Sequence, residues 1–394
     1  MRILLTGLPI RSHLVPVVVP VALALRRSGH EIAIATGGAV AAEIERLGVP
    51  VLVLPRVLAP EEVGRRPELL AGLDLGKLRQ WRPERTGPLS VPLFNDLMTA
   101  EFAADLLDAA KTWRPDVIVR ETNEYGGYLA AEVLGLPSAV IDIAPLIGRL
   151  VPDLTERLNR LREDLGLPAI GSAAHASGRL TAGLLPEPWY PEEQRTPGHR
   201  YYRVPGVADE PPLDPAIVDL PPDRPFVLAG FGSNAHSLLA TGSELMGITV
   251  AALGSLPVQA VAVLGSDQAV AGWTGPRPAN VHLAAFVPQR SLLGACDLFL
   301  THAGFSGVRE ALSAGVPMVA LPLFAEQPGN AVRVHELGLG VRTEAAGLTP
   351  DALAAGLQQV LDEPSYGLAT RAFQRRVLGL PALTAFTGDL ESLV

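Results

Sequence analysis

Two short stretches carry residue types that could do chemistry. Residues 301–307 read THAGFSG, between the apolar run CDLFL and the helical pattern VREALSAGVP. A helix N-terminus offers unpaired N–H groups and the positive end of the helix dipole. Gly304 and Gly307 let the backbone approach an anion closely. Thr301, His302 and Ser306 can donate hydrogen bonds. The stretch suits a phosphate or diphosphate cradle; a plain strand-to-helix turn with capping residues would use the same types. The second stretch is GLPIRSHLVP (7–16), which puts His13 at a helix start, three residues before Pro16. Histidine titrates near neutral pH and suits removal of a proton from a hydroxyl nucleophile; a capping or buried structural histidine would look alike. G-x-G-x-x-G is missing after RILLTG, which argues against a nicotinamide or flavin enzyme.

The elements that must position these loops follow a repeated grammar. RILLTG (2–7), EIAIAT (31–36), VPVLVL (49–54), DVIVR (116–120) and PSAVIDI (137–143) read as strands. They are apolar at nearly every position, as strands buried on both faces are. Helical patterns lie at 14–28, 38–47, roughly 94–112 and 125–134, and Gly29, Gly48 and Gly135 close three of them. The stretch 206–224, GVADEPPLDPAIVDLPPDR, is rich in proline and acid and reads as a linker. The grammar then restarts, with strands PFVLAGFG (225–232), VQAVAVLG (258–265), VHLAAF (281–286), DLFLTH (297–302) and VPMVALP (316–322). Helices are expected near 240–255, 306–314, 328–337, 349–362 and 366–378. The expected fold is α/β: two Rossmann-like doubly wound domains, residues 1–205 and 225–378, facing each other, with 379–394 as a C-terminal helix returning to the first. In such sheets ligands sit beyond the carboxyl ends of the strands.

Length and composition agree. The 394 residues exceed one ordinary core, and 48% are hydrophobic, enough for two. Net charge is −9 with no Lys/Arg cluster, so nucleic acid and anionic membrane are poor partners. Cys296 is the only cysteine, which excludes an internal disulfide and a cysteine-based metal cluster and fits a reducing, cytoplasmic setting. The run 14–27 has some signal-peptide character, but Arg11, His13, Pro16 and Pro20 interrupt it. No apolar run reaches the ~20 residues of a membrane span.

Three further loops follow strands of the second half: GFGSN (230–234), FVPQ (286–289) and PLFAEQPGN (322–330). The ordered set FVPQ, HAGFSGVREALSAGVP and PLFAEQPGNA resembles the donor-binding signature of GT-B nucleotide-sugar glycosyltransferases. Within that group it is most similar to the bacterial natural-product enzymes, relatives of the UDP-glycosyltransferases. The resemblance implies a GT-B fold. It also implies an inverting enzyme that moves a deoxysugar, from a TDP-sugar in preference to a UDP-sugar, to a small-molecule acceptor bound mainly by the first domain.

Residue by residue, the resemblance implies that Phe286 and Val287 flank the nucleobase. His302, Ser306, Gly307 and Ser233 meet the diphosphate, Glu310 accepts from ribose hydroxyls, and Glu326 and Gln327 bind the sugar. His13 is the implied general base, oriented by a carboxylate in RETNEYGG (120–127), with Glu121 first and Glu124 second. No metal or other cofactor is implied, and a homodimer is compatible with it. The chain departs from the pattern at several places, among them Phe286 where many relatives have tryptophan and Glu121 where they place Asp. Ser12 stands for Gly before the base histidine, Ala303 for Gly in His-Gly-Gly, Gly307 for Thr or Ser, and Glu326 for Asp. Trp81 and the i, i+4, i+8 set Phe94, Met98 and Phe102 read as core, or else as the wall of an apolar acceptor pocket. His30, His335 and Asn330 read as structural. Two other readings remain at this stage, a non-hydrolysing nucleotide-sugar epimerase and a catalytically degenerate accessory protein.

Overall fold

Near-continuous apolar runs become the central strands of two parallel sheets. The computed structural model describes residues 1–59, 62, 98–145, 154–204, 210–232, 242–323 and 325–394. Ser233, Trp81 and Phe94 lie outside them. The chain forms two units, one of residues 1–81, 85–207 and 380–394, the other of 82–84 and 208–379.

The first unit has strands β1 (Arg2–Thr6), β2 (Glu31–Thr36), β3 (Val51–Val53), β4 (Val117–Glu121), β5 (Ser138–Asp142), β6 (Leu180–Gly183) and β7 (His199–Tyr201). They pair in the order β3-β2-β1-β4-β5-β6-β7, and every pairing is parallel. Ile3, Leu4 and Leu5 of β1 and Val117, Ile118 and Val119 of β4 are fully buried. Each such side chain contributes on the order of 2 kcal/mol by leaving water. The order reverses between β1 and β4, which is the switch point where open α/β sheets bind ligands.

Among the described residues, the helices of this unit before its C-terminal segment are α1 (Arg11–His13), α2 (Val19–Arg27), α3 (Ala41–Arg46), α4 (Thr99–Trp113), α5 (Gly126–Leu134) and α6 (Leu154–Asp164). A π-helical turn, Leu14–Val18, joins α1 to α2. Pro16 sits inside it and has no N–H to donate to the preceding turn, so the ladder widens around its ring. Met98 and Phe102 are buried, and Phe102 is part of a cluster with Leu4, Leu8, Leu106 and Ile118, so it is core.

The second unit pairs β8 (Phe226–Gly230), β9 (Gln259–Val263), β10 (Val281–Ala284), β11 (Leu298–Thr301), β12 (Met318–Ala320) and β13 (Gly340–Arg342) in the order β10-β9-β8-β11-β12-β13, again all parallel. Its switch point lies between β8 and β11. Its helices are α7 (Pro215–Val218), α8 (Gly242–Gly254), α9 (Asp267–Ala271), α10 (Gln289–Leu293), α11 (Phe305–Ala314), α12 (Gln327–Glu336), α13 (Pro350–Asp362) and α14 (Pro364–Leu378). The last helix, α15 (Ala385–Glu391), belongs to the first unit, where Tyr202 donates its hydroxyl proton to Asp389 and Arg203 donates its N–H to the carbonyl of Pro381.

Residues 210–224, read above as linker, hold one helical turn, α7, capped by Asp214 accepting the Ala216 N–H at 2.9 Å. Glu210 bonds Ser291, which ties this stretch to the second unit. Strands β6, β7 and β13 and helix α6 extend the pattern read from sequence. No helix among the described residues is long and apolar enough to cross a membrane.

Candidate active site

In the first unit the switch point brings the loop after β1 against the end of β4. Gly7 follows β1, and a Cβ there would meet Leu14 Cδ2 at 2.4 Å and Glu121 Cγ at 3.3 Å. Only a glycine lets the chain pass between them. The loop then enters α1, whose last residue is His13. The imidazole is about four-fifths buried, and its Nδ1 lies 3.4 Å from Glu121 Oε1. Glu121 ends β4 and is fully buried. Its other oxygen accepts the Asn123 N–H at 2.7 Å, which fixes the carboxylate plane and aims Oε1 at the ring. The distance is at the long end of a hydrogen bond.

Glu124 faces a different partner set. It accepts from the Thr6 hydroxyl and from the Gly127 N–H at 2.8 Å, so it joins the end of β1 to the start of α5. Burial pushes its carboxyl up to about 7, against those two hydrogen bonds, which pull it down. Cβ atoms at Gly126 or Gly127 would sit under 3.0 Å from the Glu124 carboxylate.

Arg120 was not legible as part of the site, because an arginine inside a strand reads as an alternating polar position. It is buried and donates to the carbonyls of Glu121 at 3.0 Å, Thr122 at 2.8 Å and Glu124 at 3.1 Å, and to that of Ala176. Its guanidinium also lies over the Tyr125 ring. The arginine therefore holds the turn that carries both carboxylates.

In the second unit the corresponding loops follow β8 and β11. His302 sits between two glycines from those loops. A Cβ at Gly232 would meet His302 Cε1 at 2.8 Å and one at Gly304 would meet Nε2 at 2.5 Å, and Gly232 also needs a φ of +74°. Ala303, fully buried, has a φ of +62°. An L-residue there costs about 1–2 kcal/mol relative to a right-handed conformation, so the Ala-for-Gly departure falls on the one residue of the loop where glycine would relieve strain.

Helix α11 starts directly after, with Ser306 half-buried in its first turn. Gly307 has ordinary room for a Cβ, 3.5 Å from Thr301 Oγ1 and 3.7 Å from Gln289 Nε2. Glu326 Oε1 accepts the Phe305 N–H at 3.3 Å, so the longer acid reaches back to the mouth of α11. Gln327 is buried, and its Oε1 accepts the Leu323 N–H at 2.9 Å, so it shapes the loop that carries Glu326. Gln289, the last residue of FVPQ, donates to Glu310 Oε2 at 2.7 Å. That pairing had a signal in FVPQ but was not drawn from it.

Phe286 is 71% exposed, an unusual cost for an aromatic ring, whereas the Val287 side chain is buried. Of the donor-site candidates, His302, Ser306, Gly307 and Glu326 gather at the mouth of α11. Glu310 pairs with Gln289, and Phe286 stands on the preceding loop. His30 lies 3.2 Å from the Glu391 carboxylate, and His335 is exposed in the last turn of α12.

Similarity to known proteins runs along the whole chain. Residues 258–371 match the family described as UDP-glucoronosyl and UDP-glucosyl transferase. The 10-deoxymethynolide desosaminyltransferase of Streptomyces venezuelae is 27% identical over 100% of this chain and 97% of its own. The glycosyltransferase VinC, solved in complex with dTDP, aligns with a TM-score of 0.73 at 27% identity, covering 100% of this chain and 99% of that one. The glycotransferase of kitacinnamycin has the same fold, with a TM-score of 0.76 at 22% identity over 100% and 98% of the two chains. This chain therefore has the GT-B fold and is a glycosyltransferase, similar over its whole length to bacterial natural-product enzymes and, over residues 258–371, to the UDP-glucuronosyl and UDP-glucosyl transferases.

Proposed function

We propose that the protein is an inverting enzyme that moves a deoxysugar from a TDP-sugar to a hydroxyl of a small natural-product acceptor, with His13 as general base. The observation that carries this reading is the His13–Glu121 pair at 3.4 Å. A carboxylate oxygen facing the ring accepts, so Glu121 Oε1 favours the tautomer with the proton on Nδ1 and leaves Nε2 to take the acceptor proton. As the proton leaves, the acceptor oxygen attacks the anomeric carbon from the face opposite the diphosphate. Glu121 then stabilises the imidazolium that forms.

At the donor, His302 and the first turn of α11 stabilise the charge growing on the departing diphosphate. Phe286 offers its exposed face to the base, with the Val287 backbone beside it. Glu310, held by Gln289, accepts from the ribose, and Glu326 meets the sugar with Gln327 supporting its loop. Ser306, Gly307 and Ser233 complete the phosphate contacts. A TDP donor is supported by the names of the relatives, among them a TDP-daunosamine transferase from Streptomyces peucetius. The proposed chemistry draws on no metal.

The test is a donor assay. With a TDP-deoxysugar and a panel of aglycones, transfer should invert the anomeric configuration and His13→Ala should abolish most of it. Retention of configuration, or full activity without His13, would contradict the reading.

A further inference from the structure

The departure at residue 303 leads to a residue the donor reading did not use. Both peptide groups of Ala303 are held by side chains. Its N–H is accepted by Thr301 Oγ1 at 3.2 Å, and its carbonyl accepts from Asn330 Nδ2 at 2.9 Å. Asn330 comes from a different loop and helix, in the second turn of α12, and is fully buried. A buried side chain that donates to one backbone carbonyl 27 residues away fixes the geometry of that peptide. The peptide in question is the one strained point of the loop, with a φ of +62° and no glycine to adopt it freely. His302 precedes it and the start of α11 follows, so the sense of this bend decides how the imidazole stands relative to the helix mouth. The Glu326–Phe305 contact ties the same two loops a second time.

We propose that Asn330 is a positioning residue for the donor diphosphate: it locks Ala303 in the left-handed bend that sets His302 against the N-terminus of α11. This rests on the reading of that loop as the diphosphate cradle. Without the tie, an alanine relaxes toward negative φ, and the imidazole leaves its slot between Gly232 and Gly304. A glycine at 303 adopts the left-handed bend without such help, so the two positions are coupled.

The experiment is a cycle of four proteins: wild type, Asn330→Ala, Ala303→Gly and the double variant. Each is titrated calorimetrically with TDP and with thymidine. Asn330→Ala should weaken TDP on the order of tenfold while leaving thymidine within about twofold, because thymidine has no phosphates to place. Ala303→Gly alone should keep TDP affinity within about twofold, and in that background the loss of Asn330 should cost about threefold or less. A merely structural role would lower both ligands together. Three results overturn the proposal: unchanged TDP affinity in Asn330→Ala, equal losses for TDP and thymidine, or no relief from glycine at 303. A wild-type protein that binds no TDP fails earlier and removes the cradle reading itself. If Asn330→Ala does not fold, Asn330→Leu, which keeps the side-chain size and removes the donor, takes its place in the cycle.

Discussion

The His13 imidazole and the Glu121 carboxylate meet at 3.4 Å although 108 residues separate them. Pairing of β1 with β4 makes this possible, since it places the loop after one strand against the last residue of the other. The Asn123 N–H fixes the carboxylate that faces the imidazole.

His13→Ala should lower turnover by about 10²–10⁴ and leave TDP affinity unchanged. Glu121→Gln keeps the shape but loses the charge, and should give a smaller loss, on the order of tenfold. Steady-state rates with TDP calorimetry separate the two effects. A matching fall in TDP affinity would assign His13 to donor binding.

Gly232 and Gly304 leave a slot for His302. Alanine at either position puts a Cβ under 3.0 Å from the ring, so the imidazole must move. Each variant should fold yet lose TDP affinity about tenfold or more. Gly232→Ala should also lose stability, because its φ of +74° is left-handed. Denaturant unfolding beside TDP titration checks both parts.

Gly307→Ser should do the opposite. The position has ordinary room for a Cβ beside Thr301 and Gln289, and glycine inside a helix costs roughly 0.5–1 kcal/mol relative to better formers. The variant should be slightly more stable and should bind TDP several-fold more tightly if the new hydroxyl reaches the phosphate. Weaker binding would place the phosphates elsewhere.

Glu124 gives a pH signature. Burial pushes its carboxyl from the usual 4.5 up to about 7. The folded protein keeps that proton where the unfolded chain has lost it, so the folded state binds more protons in this window. The stabilisation is therefore full below about pH 4.5 and is lost as pH rises toward about 7. Glu124→Gln keeps the shape and removes the titration. Its stability should fall less than that of wild type between these limits, as urea midpoints at several pH values would record. His199 works in the other direction, because burial lowers it to about 4 and its contribution is lost as pH falls from 6.5. A Glu124→Gln profile parallel to wild type would show that Glu124 is ionised in the fold.

Much of this fold was legible because the strands of a doubly wound sheet are apolar on both faces. The runs 2–7, 31–36, 225–232 and 258–265 all contain strands of the expected sheets. Strands β6, β7 and β13 were missed for a physical reason. They are three or four residues long and carry Thr, Gly, His or Arg, so no apolar run marks them. Residues next to turns stand out in the sequence by type alone, as His13, His302 and Glu326 do. The supports of those turns were not. Arg120 acts through backbone carbonyls and Asn330 through a single carbonyl, and neither leaves a pattern along the chain.

The central claim is that THAGFSG holds a diphosphate. The most direct test is thermal and calorimetric titration of wild type and His302→Ala with TDP, with UDP and GDP as controls. Wild type should bind TDP saturably, worth about 2.7 kcal/mol of stability at a hundred times the dissociation constant, and His302→Ala should lose most of that affinity. No stabilisation by any of the three nucleotides, or equal TDP binding without the histidine, would contradict the claim.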